Sequence, residues 1–360
     1  IFICTNSGSK AHIGKVAFIQ NDMDYYFGGF MGVLRVKNIE KYNPYYIFTI
    51  FTTNYVKNLI ELLIANTTIN NLNFSDISEI PIPIPPIETQ NKIVNIMKDA
   101  YLSKEKLEKE ADKLLSSIDE YLLRELGIIL PKKDTNFKSR IIITKLSYLK
   151  GKRIDYEYHQ KYYIDLQNAI CKSKYPLVSL SNKISVNSQL ENMKKYNFIN
   201  YIDLSCIEKN NGIVKNIVFM NKDFPSRARQ RVGKGDLLVS TLSGSMKAIA
   251  IVEEDKENLI ASTGFFVIKE TDKDLLKYFL ISILRTNLFQ ELLKREARGA
   301  IMSSINCNDF LNIEIPLPPI EIQQKIVNEI NKRKQKALRL QKEAKETLEN
   351  AKSQAERIIF

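Results

Sequence analysis

Arg227-Ala228-Arg229-Gln230-Arg231, followed by Lys234, is a dense basic stretch ahead of a Gly235-Asp236 turn. Such residues suit contacts to phosphate oxygens, and a guanidinium fork can also read O6 and N7 of guanine. The same residues would also make an ordinary solvated turn. Ser243, Ser245 and Lys247 surround a Ser-Gly-Ser turn, where small hydroxyls and free backbone amides let a phosphate approach. Ser303, Ser304 and Asn306 follow Arg298 in a polar loop. Hydroxyls and amides there could read base edges or could cap turns. Near the start of the chain Ser7, Ser9 and Lys10, then Asn70, Asn71 and Asn73, offer the same two groupings.

Covalent chemistry has less support. Asn43-Pro44-Tyr45-Tyr46 approaches the Asn-Pro-Pro-Tyr motif of adenine methyltransferases, but it lacks the second Pro and no Gly-rich cofactor turn lies in register with it. Asn as a helix cap with Pro at the first helical position is the better account. No GxxxxGK[ST] loop is present for nucleotide hydrolysis. The two histidines, His12 and His159, are far apart, and the four cysteines (Cys4, Cys171, Cys206, Cys307) include no CxxC. The reading assigns no catalytic residue, no metal ligand and no cofactor.

The balance of 53 Lys and Arg against 41 Asp and Glu gives a net charge of +12. That favours a polyanionic partner, because cations gain by displacing the counterions condensed on nucleic acid. At 360 residues with 44% hydrophobic content, two domains with real cores are expected. No apolar run approaches the roughly 20 residues of a membrane span. Scattered cysteines fit reduced thiols in the cytoplasm. The opening Ile1-Phe2-Ile3-Cys4 has no initiator Met and reads as a chain cropped inside a strand.

The elements that would position these residues come twice. Pro81-Ile82-Pro83-Ile84-Pro85-Pro86-Ile87-Glu88-Thr89-Gln90 returns as Ile315-Pro316-Leu317-Pro318-Pro319-Ile320-Glu321-Ile322-Gln323, and Pro318 against Pro85 gives an offset of 233. Thr53-Asn54 meets Thr286-Asn287 at that offset, and Asp76 meets Asp309. Upstream the offset drifts to 236, where Ser7-Gly8-Ser9 meets Ser243-Gly244-Ser245. Each copy predicts a strand, the Ser-Gly-Ser turn and a second strand (Val16 to Gln20; Ala248 to Glu253). Gly29-Phe30 or Gly264-Phe265 then leads into a third. A helix follows, near Pro44 to Ile64 and near Lys273 to Arg295, then the polar loop, a short apolar strand and the Pro-rich segment. Residues 151 to 236, with strand-like runs at Leu177 to Leu180, Phe198 to Leu204 and Ile213 to Phe219, have no counterpart in the first copy.

Each copy ends in a long charged helix. Ile93, Met97, Ala100, Leu107, Ala111, Leu114 and Ile118 in the first fall at alternating spacings of four and three, interrupted by Lys104. Ile326, Ile330, Ala337, Leu340, Ala344 and Ala351 repeat the seam. Each helix would run about 57 Å at 1.5 Å per residue. A seam of this kind belongs to a coiled coil, with two independent surface helices as the alternative.

The Pro-rich segment running into a coiled-coil helix resembles the end of a target recognition domain in type I restriction–modification specificity subunits. Gly233-Lys234-Gly235-Asp236-Leu237-Leu238-Val239-Ser240-Thr241 is similar to that family's Gly-Asp-apolar strand, and Arg153-Ile154-Asp155-Tyr156-Glu157-Tyr158 to a domain opening. The resemblance covers nearly the whole chain and departs from the family at the missing opening of the first domain. It implies an α+β fold: target recognition domains of mixed sheet and helices over 1–87 (truncated) and 151–319, separated and followed by long helices over 88–130 and 320–360 that form an antiparallel coiled coil. Residues 131–150 link the halves. It further implies that each domain reads half of a split double-stranded DNA site, that the helices set the spacer and hold DNA adenine-N6 methyltransferase subunits, and that restriction/translocase subunits can join. Such a subunit carries no chemistry of its own. Two rivals stand: the C-terminal part of a fused methyltransferase or restriction enzyme, and a coiled-coil scaffold that binds only protein.

Overall fold

In the computed structural model, three short strands open the first repeat: β1 (Phe2–Cys4), β2 (Val16–Ala17) and β3 (Met31–Val33). The structure describes every residue except 22–23, 66–70, 134–135, 137–140, 144, 146, 148–152, 157, 210 and 300–302. β1 pairs antiparallel with both neighbours in the order β2-β1-β3. Helices α1 (Pro44–Thr52), α2 (Asn54–Ala65) and α3 (Phe74–Ser78) follow, then α4 (Ile87–Leu126). Asn43 does cap α1, accepting from the Tyr45 N–H at 2.9 Å with Pro44 at the first helical position.

The second repeat adds α5 (Lys161–Cys171), β4 (Leu177–Ser179), β5 (Ile184–Val186), β6 (Ile199–Ile202), β7 (Ile207–Glu208), β8 (Ile213–Val214), β9 (Val218–Met220) and β10 (Ala228–Arg231). It continues with β11 (Leu237–Ser240), β12 (Ile249–Ile251), β13 (Leu259–Ser262), β14 (Phe265–Thr271), α6 (Lys277–Leu284), α7 (Asn287–Glu296), α8 (Cys307–Leu311), β15 (Glu314–Pro316) and α9 (Ile320–Ile359). The strands form a six-stranded sheet, β5-β14-β11-β12-β8-β7, a four-stranded sheet, β10-β13-β6-β9, and the pair β15-β4. The predicted run from Ile213 to Phe219 is cut into β8 and β9, with Asn216 in the left-handed region at φ +54° between them.

By contacts the chain divides into two units, Ile1–Lys113 with Lys336–Phe360, and Leu114–Gln335. In the second unit, side-chain alternation along the strands gives the six-stranded sheet two apolar faces. Val239, Ile249, Phe266 and Ile268 pack with Phe279, Phe289 and Phe310 of the helices. Leu238, Ala250 and Val267 pack on the other face with Ile202 and Ala261 of the smaller sheet. In the first unit one core joins Ile3, Tyr46, Ile50 and Val56 to Ile93 and Met97 of α4 and to Ala351 and Ala355 near the end of α9.

The expected seam is present in both long helices: Ile93, Met97, Ala100 and Ala111 are buried, as are Ile326, Ile330, Ala337, Ala344 and Ala351. Their antiparallel sense is visible within each unit. Lys336 pairs with Glu110 at 2.9 Å in the first. In the second, Arg333 donates to the Ser117 hydroxyl at 2.9 Å and stacks over Tyr121.

Two expectations need correction. The single helix expected in each repeat is two, broken at Thr53 and at Thr286. Both threonines are fully buried and donate to the carbonyl three residues back, Ile50 at 2.6 Å and Ile283 at 2.8 Å. Each hydroxyl then accepts from the N–H three residues on, Val56 and Phe289, so it ends one helix and starts the next. The match of Gly29-Phe30 to Gly264-Phe265 is also one residue out. Thr5 N–H bonds the Phe30 carbonyl at 3.0 Å where Thr241 N–H bonds the Gly264 carbonyl at 2.9 Å. Phe30 therefore stands in the place of Gly264. A one-residue shift turns a strand's side chains over, and Phe30 is exposed whereas Phe265 is buried.

Candidate nucleic-acid interface

The basic stretch is a strand. Along β10 Ala228 and Gln230 turn inward while Arg229 and Arg231 are exposed, and Arg227 is exposed just before it. The register with β13 shifts between Ala228 and Gln230, a bulge that leaves Arg229 without a partner residue in the ladder. Gln230 anchors the strand: its amide donates to the carbonyls of Ser262 and Phe265, both at 2.8 Å, tying β10 to both sheets. Lys234 is exposed on the following turn, which is fixed by Gly235 at φ +90° and by the Asp236 carboxylate accepting from the Gly233 N–H at 3.0 Å. Among the described residues, Arg227, Arg229, Arg231 and Lys234 make no ion pair. Glu191, which feels the charge of Arg231, is taken by Lys195, whose ammonium bond holds the Glu191 carboxyl below its usual range. Arg229 and Arg231 thus stand on a braced edge strand, flanked by Arg227 and Lys234.

The two polar groupings come together in space, once in each repeat. Leu242 bridges to Ser304, the Ser243 N–H donates to the Ser303 carbonyl at 2.9 Å, and the Ser243 and Ser303 hydroxyls bond each other. In the first repeat Asn6 bridges to Asn71. Leu72 N–H to the Thr5 carbonyl at 2.8 Å matches Ile305 N–H to the Thr241 carbonyl at 2.9 Å. Ser7 and Ser9 share a turn, with the Ser9 N–H donating to the Ser7 hydroxyl at 3.2 Å, and Lys10 is exposed beside it. Ser245 is half-buried and Lys247 exposed in the second copy.

Other candidates have structural employment. Asn306 caps α8, its carbonyl oxygen accepting from the Asp309 N–H at 2.8 Å. Asn73 stands at the start of α3, accepts from Asn71 at 3.2 Å and gives its N–H to Asp76 at 3.3 Å. Arg298 pairs with Asp309 at 2.7 Å and is not a free cation. Asn70 lies outside the described residues.

A matched pair of buried glutamines, Gln90 and Gln323, lies outside the residues singled out from the sequence. Gln90 accepts from the Asn43 N–H at 2.8 Å and donates to the carbonyls of Lys41 and Pro85 at 3.1 and 2.9 Å. Gln323 accepts from the Leu276 N–H at 2.9 Å and donates to those of Asp274 and Pro318 at 2.7 and 2.8 Å. Every partner is related by the same 233 residues, so each glutamine clamps the start of α1 or α6 to the Pro-rich entry of a long helix. The repeated Gln was visible in the sequence; its burial was not. Also unforeseen is Tyr158, whose ring carries two guanidinium groups, Arg295 at 4.2 Å and Arg153 at 4.9 Å from its centre. Arg153 donates to the carbonyls of Arg295, Glu296 and Ala297, covering the end of α7.

A braced edge strand with exposed cations stands on a frame whose core elements occur twice, and comparison with known proteins gives its class. The model of the type I restriction modification DNA specificity domain matches residues 2–120 and 173–350, and the chain belongs to that family. Among particular proteins it is similar to the type I restriction enzyme HindI specificity subunit of Haemophilus influenzae, 28% identical over 163 residues, 43% of this chain and 33% of that protein. It is also similar to the EcoKI specificity subunit of Escherichia coli K12, 22% identical over 341 residues, 92% of this chain and 66% of that protein. The chain thus spans less than two thirds of either relative. A chain solved in a study of complex assembly and conformational transition of the type I R-M system shares the fold, with a TM-score of 0.53 at 16% identity over 92% of this chain and 73% of that one. Among the described residues no helix is long and apolar enough to cross a membrane.

Proposed function

We propose that this chain binds double-stranded DNA sequence-specifically and confers a split target on a restriction–modification complex containing an adenine-N6 methyltransferase. It would do so in the cytoplasm and as a non-catalytic subunit, with restriction/translocase subunits as further partners. The observation that carries this reading is the row of Arg227, Arg229, Arg231 and Lys234, four exposed cations that make no ion pair among the described residues, on and beside a strand held by Gln230. An unpaired cation on a fixed support suits phosphate, because binding releases condensed counterions and orders no flexible backbone. The junctions of Ser243, Ser245 and Lys247 with Ser303 and Ser304, and of Ser7, Ser9 and Lys10 with Asn71, present hydroxyls and amides of the kind that read base edges.

The test is purification of the chain from its native host with identification of what accompanies it, followed by selection on a randomised duplex library. Recovery of an adenine methyltransferase and enrichment of a split motif are expected. Recovery of other proteins, with no DNA enrichment even at low salt, refutes the reading and leaves a protein scaffold.

A further inference from the structure

Two carboxylates reach an identical backbone atom of the two repeats from non-identical places. Asn287 N–H, the first of α7, donates to Asp119 of α4 at 2.8 Å, and Asn54 N–H, the first of α2, donates to Glu356 of α9 at 2.6 Å. Asn54 and Asn287 are counterparts at the offset of 233, and each follows the buried threonine that breaks its helix. The acids are not counterparts. At that offset Asp119 corresponds to Lys352 and Glu356 to Leu123, one helical turn away in each case. Duplication alone therefore does not account for both contacts: an acid stands opposite this N–H in each unit by a separate route.

The side-chain caps of α1 and α8 are local. Asn43 and Asn306 serve N–H groups two and three residues on. Asp119 and Glu356 come from 168 and 302 residues away in the chain. Each belongs to the later half of its long helix, the half that joins the unit built from the other repeat. A carboxylate at a helix N-terminus also meets the positive end of the helix dipole, so the contact is directional and short-ranged. Asp119 is further drawn by Arg285 and Lys247 of the same unit.

We propose that Asp119 and Glu356 are positioning residues that key the arriving helix in register against each recognition unit, and that the two keys together fix the length of unread DNA between the half-sites. This rests on the split-site reading above. The scale is suitable: a slip of one helical turn is about 5.4 Å, more than one base-pair step of about 3.4 Å.

The experiment first selects a motif with the wild-type full chain. It then measures binding of wild type, Asp119→Ala, Asp119→Asn, Glu356→Ala and Glu356→Gln to duplexes with both half-sites and spacers from two base pairs short to two long. Wild type is expected to prefer its own spacer by at least about tenfold, the usual cost of one poorly met element in such a site. The alanine variants are expected to bind the neighbouring spacers within about threefold of the native one, with base preference in each half-site unchanged. The amide variants keep an acceptor oxygen and are expected to keep the wild-type spacer. Alanine variants that retain tenfold spacer discrimination overturn the proposal. Should those variants not fold, Asp119→Glu decides: the charge stays, the arm lengthens by one methylene, and unchanged spacer preference overturns the proposal. A wild-type chain that selects no split motif refutes the DNA reading itself, and this inference falls with it.

Discussion

β1 and β11 are the same strand in two repeats, with the same register on their inner neighbours and different surroundings. Phe2 faces Ala17 as Leu238 faces Ala250, and Ile3 faces Val16 as Val239 faces Ile249. Outside that trio β11's sheet continues to β5 and β8, whereas the first sheet stops at three strands among the described residues. β13, which carries β10 on one side and β6 on the other, is matched in the first repeat by Tyr25–Phe27, which is exposed and unpaired. The polar junction, the glutamine clamp and the acid-capped helix break therefore belong to the part both repeats share. The cation-bearing strand belongs to a part of the second repeat that has no counterpart among the described residues of the first.

That division can be broken by measurement, and the largest effect should fall on the cations. Replacing Arg229, Arg231 and Lys234 together by Ala should weaken DNA binding by about 100-fold or more at low salt and reduce the slope of log affinity against log salt by about 3. Lys10→Ala in the first repeat should change affinity less than about threefold, and an equal loss would erase the distinction. The clamps should show the reverse, equality. Gln90→Leu and Gln323→Leu each leave one N–H and two carbonyls without their partner, and each should cost about 2–4 kcal/mol in urea unfolding. A large cost at only one would show that the matched geometry hides unequal roles.

pH acts in opposite directions on one pair of counterparts. Lys334, matched in the first repeat by Tyr101, is pushed down to about 8 by burial and by Arg285. Its folded pKa lies below the unfolded one, so the unfolded chain binds more protons above pH 8 and stability should rise toward pH 10.5, by on the order of 2 kcal/mol. Lys334→Met should abolish that rise. Tyr101 is pushed up by burial, so the first unit should lose stability as pH climbs past 10, where the unfolded phenol ionises. The smallest effect belongs to Arg298→Ala, less than about threefold in DNA affinity, because Asp309 already holds that charge.

Much of the frame was legible because duplication and heptad spacing are properties of side-chain order. Ile93 to Ile118 and Ile326 to Ala351 announce a seam whichever way the chain later turns. The breaks at Thr53 and Thr286 were hidden because Thr52-Thr53-Asn54 and Arg285-Thr286-Asn287 are polar runs short enough for the solvent side of a continuing helix, and only a buried hydroxyl competing for backbone groups ends the first helix. The Phe30 register depended on which carbonyl Thr5 chose across a sheet, a long-range choice that a local Gly-Phe match cannot carry. Of the candidate site, the basic run was visible as charge, but its division into inward Gln230 and outward arginines required the strand. Arg298 and Asn306 looked as available as Arg229 until Asp309 claimed both.

Tyr25, Tyr26 and Phe27 of the first unit also bear on how this chain behaves in a concentrated solution. Tyr25 and Tyr26 are almost wholly exposed and Phe27 is half-exposed. Neighbouring exposed aromatics are contact surface for other molecules. A lysine in place of Tyr26 is therefore expected to raise the concentration at which this chain begins to scatter light, and to leave the unfolding of the second unit unchanged.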